Sequence, residues 1–295
     1  MKTIKKKTIP LKSIIASSLL PRSETELLLV FLSGKTREFI LTHPEYELKT
    51  IIAKKFKILE KKRLINWPIA YLIGSKGFYG YDFKITTNVL TPRPETEMII
   101  DWLINEIDEE SLVIDIGTGS GAIIISTALE IKEKKPLFYK TNDFYGLDIS
   151  AKAILVAKIN TKKYHLEKKI IFRRGNLLEP IKKEIIKASL SGKKIIIAAN
   201  LPYLTLKQIK ESPSISREPK IALLAGSDGL KYYRELFIWL RDYKENLLQM
   251  PRISLICEID DLQAEKISTL AKKYFPNCSP KIKTDLNYKK RFLII

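Results

Sequence analysis

The spacing of hydrophobic residues divides the chain into three stretches. From residue 11 to residue 65, apolar positions recur every three or four residues, which is typical of amphipathic helices. Ser23 and Glu26 have the Ser-x-x-Glu spacing of a capping box and precede an apolar run, so a helix is expected to begin there. Gly34 can end that helix, and further helical stretches follow it. The pattern predicts a small helical bundle.

Residues 67–92 have a different pattern. Glycines separate aromatic and β-branched residues, which favour extended backbone. We therefore expect a β-hairpin that connects the helical region to the rest of the chain. The expected domain limits are a helical domain over residues 1–66, this connector over 67–92 and a third domain over 93–295.

From residue 111 onward, short apolar runs alternate with longer amphipathic stretches. The runs are rich in Ile, Leu and Val and have the length of buried strands. Alternating strands and helices predict an α/β fold, in which helices cover both faces of a mostly parallel sheet. The expected strands are 112–116, 144–148, 170–173, 194–199, 253–259, 281–284 and 291–295.

Composition excludes several classes of protein. No run of some 18 apolar residues is present, so no transmembrane helix is expected. Two cysteines and two histidines have neither the number nor the spacing of a metal centre or a disulfide framework, so no metal and a reducing, cytoplasmic setting are expected. The net charge of +19 suits a nucleic-acid or ribosome-bound partner, but lysines scattered along the whole chain explain it equally well.

A glycine-rich loop follows the first expected strand. Residues 113–121 read Val-Ile-Asp-Ile-Gly-Thr-Gly-Ser-Gly, and a helical stretch begins directly afterwards. Glycines permit a tight turn and the close approach of a ligand. Asp148 ends the next strand, where a carboxylate can accept hydrogen bonds from ribose hydroxyls. The two features together predict a nucleoside cofactor, either a dinucleotide or S-adenosylmethionine.

A second loop, Asn200-Leu201-Pro202-Tyr203, follows the fourth strand of the sheet. Ligands of open α/β sheets bind at the carboxyl ends of strands, so this loop should lie near the glycines. The side-chain oxygen of Asn200 and the main-chain oxygen of Leu201 can hold the hydrogens of a planar NH2 group and orient its nitrogen toward a methyl donor. The ring of Tyr203 can pack on the same planar group.

Several further segments resemble the HemK/PrmC family, the N5-glutamine methyltransferases of peptide-chain release factors. The stretch Pro-Arg-Pro-Glu-Thr-Glu at residues 92–97 is the most specific of them. The others resemble the family's helical domain, its connector, the segment after the active loop and its closing strands. They are residues 27–41, 68–74, 217–219, 226–230, 257–259 and 291–294.

The resemblance implies a Rossmann-like, seven-stranded class I methyltransferase domain preceded by a small helical domain. It implies S-adenosylmethionine as cofactor and, as protein substrate, the glutamine of a Gly-Gly-Gln motif in a release factor. A monomer that acts without a membrane or a metal is expected. The implied cofactor-binding residues are Asp115, Gly117, Thr118, Gly119, Ser120, Gly121, Asp148, Asn176, Leu177 and Asn200. The implied substrate and catalytic residues are Asn200, Leu201, Pro202, Tyr203, Arg93 and Pro94.

The chain departs from the family pattern at Lys76 and Gly77, where the family usually has Arg and Glu before Phe78, and at three positions of the expected site. Leu201 stands where proline is commonest, and Asn176 and Leu177 stand where the family often has an acid and an aromatic residue. Asn-Leu-Pro-Tyr also occurs in methyltransferases that modify adenine N6, so methylation of RNA or DNA is the alternative function. A third hypothesis is a module that binds the cofactor without turnover.

Overall fold

The computed structural model describes residues 8–245 and 252–295. Its contacts divide the described chain into two compact units. The first unit extends to Gly74 and includes Ser212–Arg217, and the second comprises the described parts of Ser75–Glu211 and Glu218–Ile295. Of the expected connector, residues 67–74 therefore belong to the first unit and the hairpin to the second. The domain limits at residues 66 and 92 stay a prediction, because packing does not test which segment folds by itself.

The first unit is a small helical bundle with one short sheet. Two three-residue strands pair in an antiparallel manner, and the first three helices lie between them in the sequence. Apolar side chains such as Leu28, Leu29 and Phe56 form its buried core. The elements are β1 (Thr8–Pro10), α1 (Leu11–Ala16), α2 (Arg22–Ser33), α3 (Arg37–Thr42), β2 (Glu47–Lys49), α4 (Thr50–Leu64) and α5 (Ile69–Ile73).

The capping box expected at Ser23 is wrong. Helix α2 begins one residue earlier, at Arg22, after Pro21, and its first turn has no side-chain cap. The side chain of Glu26 is buried instead and accepts hydrogen bonds from Arg22 and Arg37. Gly34 ends the helix in the left-handed conformation, as expected.

The second unit begins with the hairpin and continues into a seven-stranded sheet. The hairpin consists of β3 (Ser75–Phe78) and β4 (Tyr81–Lys84). The sheet strands are β5 (Ser111–Ile116), β6 (Asp143–Asp148), β7 (Ile170–Arg174), β8 (Lys194–Ala199), β9 (Ile253–Glu258), β10 (Lys281–Thr284) and β11 (Lys290–Ile294). The helices are α6 (Glu97–Glu106), α7 (Ala122–Lys134), α8 (Pro136–Thr141), α9 (Ala151–Lys163), α10 (Lys182–Leu190), α11 (Leu206–Glu211), α12 (Lys231–Glu245) and α13 (Ala264–Tyr274).

The sheet has the strand order β10-β11-β9-β8-β5-β6-β7. The five strands from β9 to β7 run parallel, and β11 is antiparallel to its neighbours β9 and β10. Every residue of β5 is buried, because helices cover both faces of a parallel sheet. The expected α/β fold and all seven expected strands are confirmed. No helix within residues 8–245 and 252–295 has the length and hydrophobicity that a membrane span requires.

Candidate active site

The carboxyl ends of three neighbouring strands carry the expected site residues. Strand β5 lies between β8 and β6, and the chain leaves it toward β6 before it returns to β8. This reversal is the place where open α/β sheets bind ligands. Residues 117–121 follow β5, Asp148 ends β6 and Asn200 follows β8. The sheet thus brings together the two loops that the sequence motifs indicated.

A cavity opens at this edge of the sheet. The expected residues that line it are Gly117, Gly119, Asp148, Asn176, Leu177, Asn200, Leu201 and Pro202. Residues that were not expected from the sequence also line it, among them Asn88, Val89, Leu90, Ile149, Ser150, Ile221 and Tyr232.

The glycine loop owes its shape to hydrogen bonds with the adjacent strand. The amides of Gly117 and Thr118 donate to the main-chain oxygen of Leu147 at 2.8 and 2.9 Å. Gly117 has a φ of +73°, and a Cβ there would lie 3.3 Å from Leu201 Cδ2 and 3.5 Å from the main-chain oxygen of Asn200. Glycine therefore permits both the turn and the close packing of the two loops.

Asp148 presents a carboxylate to the cavity that retains free acceptor capacity. Its Oδ2 accepts from the amide of Gly119 at 3.0 Å, and its Oδ1 accepts from the amide of Ser150 at 2.8 Å. A carboxylate oxygen can accept more than one hydrogen bond, so each oxygen can also take a hydroxyl donor. Burial raises the pKa of Asp148, and the two amides oppose this shift.

The side chain of Asn200 is held from behind by a buried carboxylate. Glu258, at the end of β9, accepts at Oε2 from Asn200 Nδ2 at 3.0 Å and from Thr96 Oγ1 at 2.6 Å. The hydroxyl of Tyr203 donates to Glu258 Oε1 at 3.3 Å. Burial raises the pKa of Tyr203, and the nearby Glu258 raises it further, so this hydroxyl keeps its proton. The nitrogen of the Asn200 amide is thereby engaged, and its oxygen remains available.

The main-chain oxygen of Leu201 keeps acceptor capacity in the same way. The hydroxyl of Tyr233 lies 3.4 Å from that oxygen, but it makes a shorter hydrogen bond to the main-chain oxygen of Glu258. A carbonyl oxygen has two lone pairs, so the long contact leaves Leu201 able to accept another donor. Asn200 and Leu201, on which the sequence predicts the two acceptors, are neighbours in the chain, and both residues line the cavity.

The segment 226–230 supports the loop from the opposite side. Gln263 Nε2 donates to the main-chain oxygen of Tyr203 at 2.7 Å and to that of Asp228 at 3.3 Å. Gly229 has a φ of +72°, and a Cβ there would overlap both Gln263 Nε2 and the main-chain oxygen of Tyr203. The glycine of this motif is thus required by the packing of the active loop.

The motif at residues 92–97 meets the Arg-Glu-Pro motif through an ion pair. Arg93 donates to Glu218 Oε2 at 2.6 Å, and the Glu218 side chain is fully buried. Burial raises the pKa of Glu218, and the charge of Arg93 opposes this shift. Arg93 and Pro94 do not line the cavity, and the substrate contact expected of them stays a prediction. In the same motif, the hydroxyl of Thr96 donates a hydrogen bond to Glu258.

Other expected contact residues also lie behind the cavity wall. They are Asp115, Thr118, Ser120, Gly121 and Tyr203, none of which belongs to the cavity lining. Asp115 Oδ2 accepts from the hydroxyl of Thr118 at 2.6 Å and so stabilises the glycine loop. Burial raises the pKa of Asp115 to about 7, and the Thr118 hydrogen bond opposes this shift. Direct contact of these residues with cofactor or substrate stays a prediction.

Three residues of the site, Glu258, Gln263 and Tyr233, were not predicted from the sequence. Glu258 stands in an apolar run, which signals burial, and a buried acid calls for polar partners. Its partner Thr96 lies 162 residues away, so no local pattern could identify it. Across the described residues, no group of three or more His, Cys, Asp or Glu side chains is arranged to hold a metal ion.

Comparison with known proteins agrees with this geometry. A family model described as "PrmC N-terminal domain" matches residues 15–74, and one described as "Methyltransferase domain" matches residues 107–224. The release factor glutamine methyltransferase of Coxiella burnetii is 34% identical over 252 residues, which cover 85% of this chain and 83% of that protein. The chain belongs to the release factor glutamine methyltransferase family. The Bacillus subtilis member is 32% identical over 90% of this chain and 88% of its own length.

A solved structure supports the fold at greater evolutionary distance. The hMettl16 catalytic domain, solved in complex with a 3'UTR hairpin, aligns with a TM-score of 0.54 over 90% of both chains. The sequence identity of 14% restricts this likeness to the fold. The resemblance to the HemK/PrmC family, drawn from the sequence motifs, is confirmed by the family matches.

S-adenosylmethionine is the cofactor of this methyltransferase, and the cavity suits it. Asp148 can take the ribose hydroxyls, because both of its oxygens face backbone amides and retain lone pairs. Leu177 and Ile149 supply apolar surface for a nucleobase, and the exposed Asn176 supplies a polar group beside it. The Asp148 carboxylate at the cavity is the observation of this structure that fits such a ligand.

Proposed function

We propose that this chain methylates the side-chain nitrogen of the glutamine in a Gly-Gly-Gln motif of a peptide-chain release factor. The observation that carries the proposal is that Asn200 and Leu201, which offer a side-chain oxygen and a main-chain oxygen as acceptors, both line the cavity. A primary amide offers two N–H donors on one planar nitrogen, which matches two adjacent acceptors. The relatives that carry this substrate in their names support the same conclusion.

The residues act mainly by orientation. Bound S-adenosylmethionine supplies a methyl group on a positively charged sulfur. Asn200 and Leu201 hold the two hydrogens of the target amide, so that the nitrogen faces the donor. Pro202 forms part of the cavity wall and stiffens the loop, because its ring fixes the backbone angle φ. After transfer, the nitrogen loses one proton to solvent, because an amide that is protonated on nitrogen is a strong acid.

Each of the loops contributes through a specific support. Asp148 would hold the cofactor's ribose through hydrogen bonds to its hydroxyls, and residues 117–121 would allow the cofactor to approach the backbone closely. Tyr203 acts through its hydrogen bond to Glu258, and Arg93 acts through its ion pair with Glu218. We further propose that the helical unit recognises the body of the release factor, and that the enzyme acts as a cytoplasmic monomer.

A methyl-transfer assay tests the proposal. The chain is incubated with S-adenosylmethionine and a release factor, and the Gly-Gly-Gln peptide is analysed by mass spectrometry after proteolysis. We expect a mass gain of one methyl group on the glutamine. A release factor whose glutamine is replaced by alanine is the control, and it should stay unmodified. An unmodified Gly-Gly-Gln peptide, with cofactor binding demonstrated by calorimetry, would contradict the proposal.

Methylation of an adenine amino group is the second candidate. The exocyclic NH2 of adenine also presents two donors on a planar nitrogen, and the net charge of +19 would attract nucleic acid. The same assay, run with bulk RNA and DNA beside the release factor, separates the candidates. Methyl groups that appear only in nucleic acid would favour this second function.

A further inference from the structure

Two neighbouring side chains set the rotation of the Asn200 carboxamide: Asn200 Nδ2 donates to Glu258 Oε2 at 3.0 Å and, in a longer hydrogen bond, to Thr96 Oγ1 at 3.3 Å. Glu258 is the closer acceptor and also holds the Thr96 hydroxyl. Glu258 is 2% exposed, and its Oε2 accepts hydrogen bonds from two side chains at once, Thr96 Oγ1 at 2.6 Å and Asn200 Nδ2 at 3.0 Å. An amide can donate only from its nitrogen. As long as Oε2 is an acceptor, the nitrogen of Asn200 must face Glu258 and the oxygen must face away from it.

Oε2 is an acceptor in both protonation states of Glu258. Since it already takes two donors, a proton on this carboxyl group would reside on Oε1. Oε1 lies beside the hydroxyl of Tyr203 at 3.3 Å, and that hydroxyl can accept as well as donate. The orientation of Asn200 therefore does not depend on whether Glu258 is charged.

The free oxygen of Asn200 is directed to the reaction site. Asn200 is half-buried and lines the cavity, whereas Glu258 does not line it. In the parts of the chain that the structure describes, no protein donor reaches Asn200 Oδ1. A target group that enters the cavity must therefore bring its own N–H donor to this oxygen.

We propose that Glu258 is a positioning residue that fixes the Asn200 amide with its oxygen toward the cavity, and thereby selects an NH2-bearing side chain over a carboxylate. The inference rests on the proposed function, because it concerns the acceptor of the methyl group. A glutamate side chain has nearly the shape of glutamine but carries only acceptors at neutral pH. Against the fixed oxygen of Asn200, its charge would be repelled and left without a donor.

The discrimination should be large as long as Asn200 is fixed. A site built to hydrogen-bond a substrate NH group rejects an analogue that lacks it far more strongly than a site that relies on shape alone. If Asn200 could rotate, its NH2 group would face the cavity part of the time. The glutamine substrate would then lose one acceptor, and a glutamate would gain a donor.

Two substitutions of Glu258 separate its acceptor role from its charge. Glu258→Gln keeps an acceptor oxygen, and the rotamer that directs this oxygen to Thr96 and Asn200 satisfies both donors. Glu258→Met keeps the approximate volume and removes the acceptor. With a release factor as substrate, we expect kcat to fall by about 100-fold or more in Glu258→Met and by less than about 10-fold in Glu258→Gln, because small misorientation of reacting groups has effects of this size.

The specificity measurement uses release factors that carry either Gly-Gly-Gln or Gly-Gly-Glu. The glutamate version is added as a competitor, and its inhibition constant is compared with the KM for the glutamine version. Wild type and Glu258→Gln should bind the glutamate version at least about 10-fold more weakly than the glutamine version, whereas Glu258→Met should bring the ratio close to one. The dissociation constant for S-adenosylmethionine and the melting temperature are measured on every variant.

The control is Glu106, a half-buried glutamate of the same unit that does not line the cavity. It accepts from Ser254 Oγ at 2.7 Å and forms an ion pair with Lys194. Glu106→Met should lower the melting temperature and leave kcat and the specificity ratio unchanged. Three results would overturn the inference: wild-type kcat in a folded Glu258→Met, an equal loss in Glu258→Gln and Glu258→Met, or a loss of cofactor binding that parallels the loss of kcat. Inactive wild type would instead refute the proposed function.

A reciprocal exchange keeps the inference testable if Glu258→Met does not fold. Asn200→Asp sets two carboxyl groups against each other and should lower kcat strongly. When Asn200→Asp is combined with Glu258→Gln, the new amide nitrogen can donate to the introduced carboxylate and leave its second oxygen toward the cavity. We expect the double variant to recover at least about 10-fold in kcat over Asn200→Asp alone. A double variant no more active than Asn200→Asp would overturn the proposed positioning role.

Discussion

Glu26 in the helical unit and Glu258 in the methyltransferase unit are both glutamates, and each side chain is 2% exposed. Their electrostatic surroundings are opposite. Glu26 accepts from two guanidinium groups, Arg22 at 3.0 Å and Arg37 at 2.9 Å. Burial alone would raise the pKa of Glu26, but the two arginines hold it below its ordinary value. Glu258 accepts from the neutral side chains of Thr96, Asn200 and Tyr203.

The difference in hydrogen-bond partners distinguishes a buried acid that stabilises the helical unit from one that orients the active loop. Burial raises the pKa of Glu258, and its hydrogen bonds and the charge of Arg291 offset only part of this effect. An acid paired with cations stabilises the structure around it, whereas an acid left with neutral donors retains an energetic cost. Perturbed acids of the second kind cluster at functional sites. Matched substitutions in the two units can test this distinction.

The largest effect is expected from a pair of glycines. Gly229 and Gly34 have left-handed φ values of +72° and +66°. A Cβ at Gly229 would overlap the main-chain oxygen of Tyr203, so Gly229→Ala must displace the active loop and should lower kcat by about 100-fold or more. A Cβ at Gly34 would meet nothing within 4 Å, so Gly34→Ala should only cost about 1 kcal/mol of stability through backbone strain.

Steady-state kinetics measure kcat, and urea denaturation measures the free energy of unfolding, of both glycine variants. Equal losses of kcat would mean that left-handed backbone strain, and not the crowding beside Tyr203, explains the effect. An unchanged kcat in Gly229→Ala would mean that the active loop does not depend on this contact.

The same glycine pair illustrates what the sequence could predict. Gly34 follows an apolar helical run, so local pattern alone identified it as a helix end. Residues 226–230 could be recognised only as a motif, because the group that excludes a side chain at Gly229 belongs to Tyr203, far away in the sequence. Likewise, the seven sheet strands were predictable from their apolar runs, but β1 and β2 were not, since three residues each give no periodicity.

Polar partners explain why the remaining expectations failed. Ser23 and Glu26 have the spacing of a capping box, but Pro21 precedes the helix and Arg37 provides Glu26 with a better partner across the bundle. The acceptor role of Asn200 followed from residue chemistry alone. The carboxylate that orients it could not be inferred, because Glu258 lies 58 residues further along the chain.

An intermediate effect is expected from the pH dependence of the two glutamates. The lowered pKa of Glu26 means that its contribution to stability is present above the unfolded value of 4.5 and is lost as the pH falls through the folded value. The raised pKa of Glu258 has the opposite sign: stability is greatest below 4.5 and is lost as the pH rises through the folded value.

Glu26→Gln and Glu258→Gln remove these titrations one at a time. At pH 6, Glu26→Gln should be less stable than wild type, and this difference in stability should shrink as the pH falls toward about 3. Glu258→Gln should become more stable relative to wild type as the pH rises from about 4 to 8. Hydrogen exchange followed by mass spectrometry reports each unit separately. If the stabilities of both variants relative to wild type changed in the same direction with pH, the surroundings assigned to one of the two glutamates would be wrong.

The smallest effect is expected from two buried threonines of similar exposure. Thr96 is 3% exposed and donates to Glu258 Oε2 at 2.6 Å, and Thr25 is 1% exposed and shares a hydrogen bond of 2.7 Å with Ser18. Valine has the same shape as threonine without the hydroxyl. Each substitution by valine should cost about 1 kcal/mol of stability, the usual net value of one hydrogen bond.

Only Thr96→Val should also change catalysis. Without the Thr96 donor, Glu258 Oε2 has a free lone pair and can take up the carboxyl proton, which turns it from an acceptor into a donor toward Asn200. The Asn200 amide would then spend part of its time reversed, and we expect kcat to fall about 3- to 10-fold while the cofactor dissociation constant stays constant. Thr25→Val should lose about as much stability as Thr96→Val but should keep the wild-type kcat. If both variants retain full kcat, the two donors on Oε2 are not needed together, and Asn200 alone is enough to keep that oxygen an acceptor.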